Sequence, residues 1–160
     1  MTPELTVLAL AGLLQAAQFV LMSVPVNREV GHHRTLAPRD NDDLSRDLSP
    51  RTGRLVRAVN NHFEALILFT LAVVVVTLSN QSTPFTAVCA WTYLAARILY
   101  VPAYAFGWNP WRSVIWFVAF LATLAMIVAS LVWHGPFPVH QYPRGVRGAD
   151  SPPPVRQNPT

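Results

Sequence analysis

Four long apolar runs, residues 5–24, 55–78, 85–106 and 111–133, leave this chain few ways to fold. Each offers about the ~20 residues that an α-helix needs to cross a hydrocarbon layer ~30 Å thick. They are too long for ordinary core helices of a soluble domain. Only 12% of the 160 residues are charged, about half the usual soluble share of ~25%. The expected fold class is therefore all-α and integral to the membrane. A bundle of four transmembrane helices forms one domain, residues 1–135, and membrane lipid is its surroundings.

The links between runs set the topology. Residues 79–83 are too few for anything but an antiparallel hairpin of the second and third helices. Trp108 and Trp111 flank the next turn, and with Trp133 they suit the aromatic belts of a membrane interface. Pro25 is expected to end the first helix, Pro84 and Pro110 to open later ones, and Pro102 to kink the third. The first run is preceded by Glu4 and no arginine, unlike the basic start of a signal peptide, so it reads as a retained helix.

All twelve basic residues are arginine, and the net charge is +4. Arg28, Arg34, Arg39, Arg46 and Arg51 lie in the loop 27–53, whereas the link 79–83 has none. The positive-inside rule puts that loop in the cytoplasm and both termini outside. Arg144, Arg147 and Arg156 in the tail pull the other way. Basic charge beside membrane segments, mixed with Asp40, Asp42, Asp43 and Asp47, does not indicate a nucleic-acid partner. The tail 136–160 carries seven prolines. It is expected to be extended or disordered unless it docks on a partner, such as a larger membrane complex. Cys89 is the only cysteine, so an intrachain disulfide is excluded.

Polar residues gather at one end of three of the runs. Arg54, Arg57, Asn61 and Glu64 open the second, Arg97, Tyr100 and Tyr104 close the third, and Arg112 and Ser113 open the fourth. Alternating chain direction brings these groups to the same membrane face. Arg57, Asn61 and Glu64 follow i, i+4, i+7 spacing; Arg97, Tyr100 and Tyr104 follow i, i+3, i+7; each set shares a helical stripe. Arg112 and Trp116 are i, i+4 on the fourth helix. Charges at membrane depth are costly and normally functional. Arginine forks bind carboxylates, Glu64 suits an ammonium group, and an arginine beside a thiol favours its thiolate. A small ligand with carboxylates, an amine and a thiol would engage the whole set.

Plainer roles fit the same residues singly. Arg54, Arg57 and Arg112 could reach lipid headgroups. Asn61, Glu64, Gln15 and Gln18 could be interhelical polar contacts, and Arg97 could pair with Glu64. The adjacent His32 and His33 lack further ligands, so no metal is expected.

The stretch 54–64, RLVRAVNNHFE, resembles the RxxRAxxNxxE signature of the MAPEG superfamily, the membrane-associated proteins in eicosanoid and glutathione metabolism. Arg97, Tyr100 and Tyr104, followed by Arg112 and Ser113, resemble its second signature. The segments Pro38-Arg39-Asp40 and 48–53 are similar to the bacterial branch, which implies a bacterial inner membrane. The resemblance implies a homotrimer of four-helix protomers with glutathione between neighbours near the cytoplasmic face. It assigns Arg54, Arg57, Asn61, Glu64, Arg97, Tyr100 and Tyr104 to glutathione binding. It assigns Arg112 to the thiolate and Ser113 to the adjacent hydroxyl. The implied activity is a glutathione-dependent transferase or peroxidase acting on lipophilic electrophiles. The family also contains non-catalytic lipid-binding members, and an accessory subunit of a larger complex is the alternative.

Overall fold

The computed structural model describes residues 1–31 and 48–132. Most of the 27–53 loop, Trp133 and the proline-rich tail lie outside the described residues. Four helices make up the rest: α1 (Pro3–Val30), α2 (Pro50–Leu78), α3 (Pro84–Ala105) and α4 (Trp111–Val132). All four are long and apolar enough to cross a membrane.

Each start is built from local chemistry. Thr2, Ser49 and Thr83 cap α1, α2 and α3 by accepting from the backbone N–H three residues on, and Pro3, Pro50 and Pro84 follow the caps. That order satisfies an orphan donor and uses proline where its missing N–H costs nothing. Thr83 and Thr86 reciprocate as a capping box. Asn80, with φ 54°, turns the chain sharply between α2 and α3. Gly107, with φ 70°, does the same after α3, where Trp108 N–H reaches back to the Ala103 carbonyl at 2.9 Å.

Pro25 does not end α1. The helix continues to Val30, and Gly31 closes it by donating to the Asn27 carbonyl at 3.1 Å. The last turn is anchored across the bundle. The Glu29 carboxylate accepts from Ser49 N–H (2.7 Å), the Ser49 hydroxyl (2.8 Å) and the Thr52 hydroxyl (2.6 Å). A carboxylate at the N-terminus of α2 also meets the positive end of that helix dipole. Helix α2 likewise starts earlier than expected, at Pro50, because Ser49 and Pro50 supply the start signal ahead of the apolar run.

The helices run up-down-up-down. α1 packs on α2 and α3, and α4 packs on those same two helices from the other side. Small residues, Ala72, Ala90, Ala96, Ala119 and Ala122, lie in the contacts and allow close approach. Phe69 and Tyr93 stack with ring centroids 3.9 Å apart at the centre. The outward faces carry Leu13, Phe19, Ile67, Leu71, Val88, Phe117 and Leu121, an apolar exterior suited to lipid.

At one end of the bundle Glu4 is completely buried. It accepts from the Ser82 hydroxyl at 2.8 and 3.1 Å and from the Thr86 hydroxyl. This ties α1 to the α2–α3 turn. Gln18 donates Nε2–H to His62 Nδ1 at 2.8 Å and ties α1 to α2 near mid-helix. Gln18 thus makes the interhelical contact expected of it.

Candidate functional site

The opposite end, where α2 and α4 begin and α3 ends, holds the polar residues. Arg97 is the largest fully buried side chain among the described residues, 2% exposed. Its Nη1 donates to Asn61 Oδ1 at 3.0 Å. Its guanidinium carbon lies 5.5 Å from the Tyr93 ring centroid and 5.6 Å from that of Tyr100. A guanidinium tolerates such a place only with hydrogen-bond and π partners to replace water. Tyr100 and Tyr104 pack at 5.3 Å, and the Arg112 guanidinium carbon lies 5.4 Å from the Tyr104 ring centroid. A continuous line of cation and aromatic groups therefore runs from Asn61 through Arg97, Tyr100 and Tyr104 to Arg112.

Two neighbouring cavities open along this line. One, of about 250 Å³, is lined by Asn61, Tyr100, Tyr104, Arg112, Ser113 and Trp116. The other, of about 170 Å³, is lined by residues that include Asn61, Glu64, Arg97, Trp116, Phe120 and Thr123. Asn61 and Trp116 belong to both. The first is lined about equally by polar and apolar surface and the second mainly by apolar surface, where Trp116 stacks on Phe120 at 5.2 Å and the Thr123 hydroxyl is spent on the Ala119 carbonyl at 3.0 Å.

Seven of the nine residues expected from the sequence line this cleft: Asn61, Glu64, Arg97, Tyr100, Tyr104, Arg112 and Ser113. Arg54 and Arg57 do not. Arg57 is exposed, with Nη1 3.5 Å from where a Cβ on Gly53 would stand, so it folds toward the start of its own helix. Arg54 extends over the α3–α4 turn, with Nη1 3.9 Å from the corresponding point at Gly107. The conceivable Arg97–Glu64 ion pair is not formed among the described residues. Arg97 turns to Asn61, and Glu64 faces outward on α2.

Phe120 and Thr123 were not apparent as cleft residues from sequence. Their signal was present in the spacing: Arg112, Trp116, Phe120 and Thr123 extend a single i, i+4, i+8, i+11 stripe on α4. His62, 1% exposed and held by Gln18, also escaped notice as a core residue because it sits inside the polar motif.

Four transmembrane helices with an arginine- and tyrosine-lined cleft at one end define an integral membrane protein of the four-helix class. The chain belongs to the MAPEG family, whose model matches residues 7–132. No curated protein matches the chain.

Proposed function

We propose that this protein is a glutathione-dependent transferase or peroxidase that acts on lipophilic electrophiles from the bilayer. The single observation that carries the reading is the line of groups from Asn61 and Arg97 through Tyr100 and Tyr104 to Arg112, along which both cavities open. A peptide with its charged ends at Arg97 and Glu64 and its thiol near Arg112 would lie along that line, with the Trp116–Phe120 stack as an apolar wall for the co-substrate. Family membership supports glutathione as the ligand.

In this reading Arg97 receives a glutathione carboxylate, and Asn61 holds the guanidinium in place. Glu64 receives the ammonium group. Tyr100, Tyr104 and Ser113 offer hydroxyls to the peptide and the sulfur. Arg112 faces the thiol and holds its negative charge as the thiolate attacks. In transfer, sulfur bonds to the electrophilic carbon and the leaving group departs with its electron pair. In peroxidase turnover, sulfur attacks the hydroperoxide, the O–O bond breaks and the alcohol leaves. A second glutathione then reduces the sulfenic acid to the disulfide and water.

A homotrimer completes the site. Arg57, Glu64, Ile67, Leu71, Val74 and Leu78 are all exposed on α2. Their spacing of seven, then three and four in alternation, is that of a helix–helix seam. A carboxylate on such a stripe needs a protein partner, because hydrocarbon offers none. A neighbouring subunit supplies one and brings Arg57 to the ligand. The 27–53 loop lies in the cytoplasm of a bacterial cell, which puts the cleft at the cytoplasmic face.

Glutathione titrated into purified protein in mild detergent, with native mass spectrometry, tests the reading. The expected result is a three-subunit species that binds glutathione. A protein that binds no glutathione is instead the non-catalytic lipid-binding member or accessory subunit. A monomer that retains full binding excludes the intersubunit site.

A further inference from the structure

Arg54 leaves the cleft for a place with its own chemistry. It lies over Gly107, where the absent side chain gives it room. Its Nε is buried with no hydrogen-bond partner. Arg51, one turn earlier and exposed, places its guanidinium carbon 5.9 Å from the Phe106 ring centroid. Phe106 in turn stacks with Trp108 at 6.3 Å. Among the described residues neither arginine pairs with a carboxylate, and the nearby Glu29 is occupied by Ser49 and Thr52. Two guanidinium groups therefore rest on the α3–α4 turn without a described anionic partner.

An apolar groove begins at the same turn. Leu99, Trp108, Trp111 and Ile115 line about 560 Å³, within the ~300–1,000 Å³ range of sites that bury most of a small ligand. Trp108 and Trp111 remain 53% and 64% exposed. Their rings suit the headgroup level of a bilayer. The groove and the cleft use different faces of the α3–α4 hairpin, since Arg112 and Trp116 line the cleft while Trp111 and Ile115 line the groove.

We propose that the α3–α4 turn is a binding site for an anionic phospholipid, with an acyl chain along Leu99, Trp108, Trp111 and Ile115 and the phosphate group against Arg51 and Arg54. Charge complementarity selects the occupant. A zwitterionic lipid fills the groove equally well but brings its own cation to the two arginines, whereas an anionic headgroup meets them with net negative charge. Phe106 spans the distance between the guanidinium pair and the groove, as the backbone of a lipid separates phosphate from chain.

The test measures lipids retained by the full-length protein after purification from mixed phosphatidylglycerol and phosphatidylcholine, read by native mass spectrometry. Phosphatidylglycerol should be preferred on the order of 30-fold, as expected of two arginines at a membrane surface. Arg51→Gln/Arg54→Gln should bring the preference close to one. Arg51→Lys/Arg54→Lys should keep most of it, which separates lost charge from a damaged helix start. Trp108→Ala should lower retention of both lipids. Equal retention of the two lipids by the unaltered protein would overturn the proposal, as would a preference that survives loss of both arginines. Displacement of phosphatidylglycerol by saturating glutathione would also overturn it, because the arginines would then belong to the cleft. None of these outcomes depends on whether the protein is an enzyme.

Discussion

Arg97 and Asn61 stand 36 positions apart in the chain and 3.0 Å apart in space, with the guanidinium donating to the amide oxygen. This bond fixes the only fully buried arginine among the described residues in the wall of the smaller cavity. Its neighbours follow in order: the Tyr93 and Tyr100 rings beside its guanidinium, Glu64 exposed on α2, and Arg112 against Tyr104 at the far end.

Asn61→Leu should leave a buried donor unpaired and destabilise the protein by ~1–3 kcal/mol. Asn61→Asp should retain stability, because it offers the guanidinium an anionic acceptor. Thermal unfolding in detergent distinguishes the two. Equal stability of Asn61→Leu and the unaltered protein would show that the bond contributes nothing.

Glu4 should matter to folding and not to the cleft. Glu4→Ala leaves the Ser82 hydroxyl without its acceptor and the Thr86 hydroxyl with only the Thr83 carbonyl, at a cost of ~1–3 kcal/mol. Glu4→Gln should recover part of this. Glutathione affinity should not change in either variant, since Glu4 lies at the other end of the bundle. A selective loss of affinity would contradict that separation.

Gln18 and His62 should be energetically coupled. A double-mutant cycle with Gln18→Leu and His62→Leu should give an interaction of ~0.6–2 kcal/mol, the range of interhelical hydrogen bonds in membranes. Strict additivity of the two losses would mean that the 2.8 Å contact does not hold α1 to α2.

Arg112→Ala should lower turnover with glutathione ~10²–10³-fold while weakening glutathione affinity far less. The bound thiol should also titrate closer to its free value of ~8.5, because the cation that favours its thiolate is gone. Thiolate absorbance against pH reads this directly. Unchanged titration and turnover would remove Arg112 from the chemistry.

In a Cys89→Ala background, a cysteine at Thr35 should react with a membrane-impermeant reagent only after the cells are opened. One at Ser79, exposed at the α2–α3 turn, should react from outside. The reverse pattern would invert the topology and put the cleft at the outer face.

The sequence by itself determined four spanning helices, their alternating direction and the membrane end at which the polar residues meet. Run length against bilayer thickness and the brevity of the 79–83 link are enough for that. Helical spacing put Asn61 with Glu64 and Arg97 with Tyr100 and Tyr104 on shared stripes, and the cleft uses all five. Only tertiary structure decided which way each long side chain turned. Arg54 and Arg57 satisfy the same motif as Asn61, yet a guanidinium at the end of a flexible stem goes where backbone leaves room, over Gly107 or back toward Gly53. Pro25 reads as a terminator because proline removes one N–H. Contacts 20 and 23 residues away, from Ser49 and Thr52 to Glu29, hold the helix beyond it. Glu4 and His62, and the identity of the partner of Gln18, carry no periodic signal, because a single polar side chain acquires its partner only when another helix supplies it.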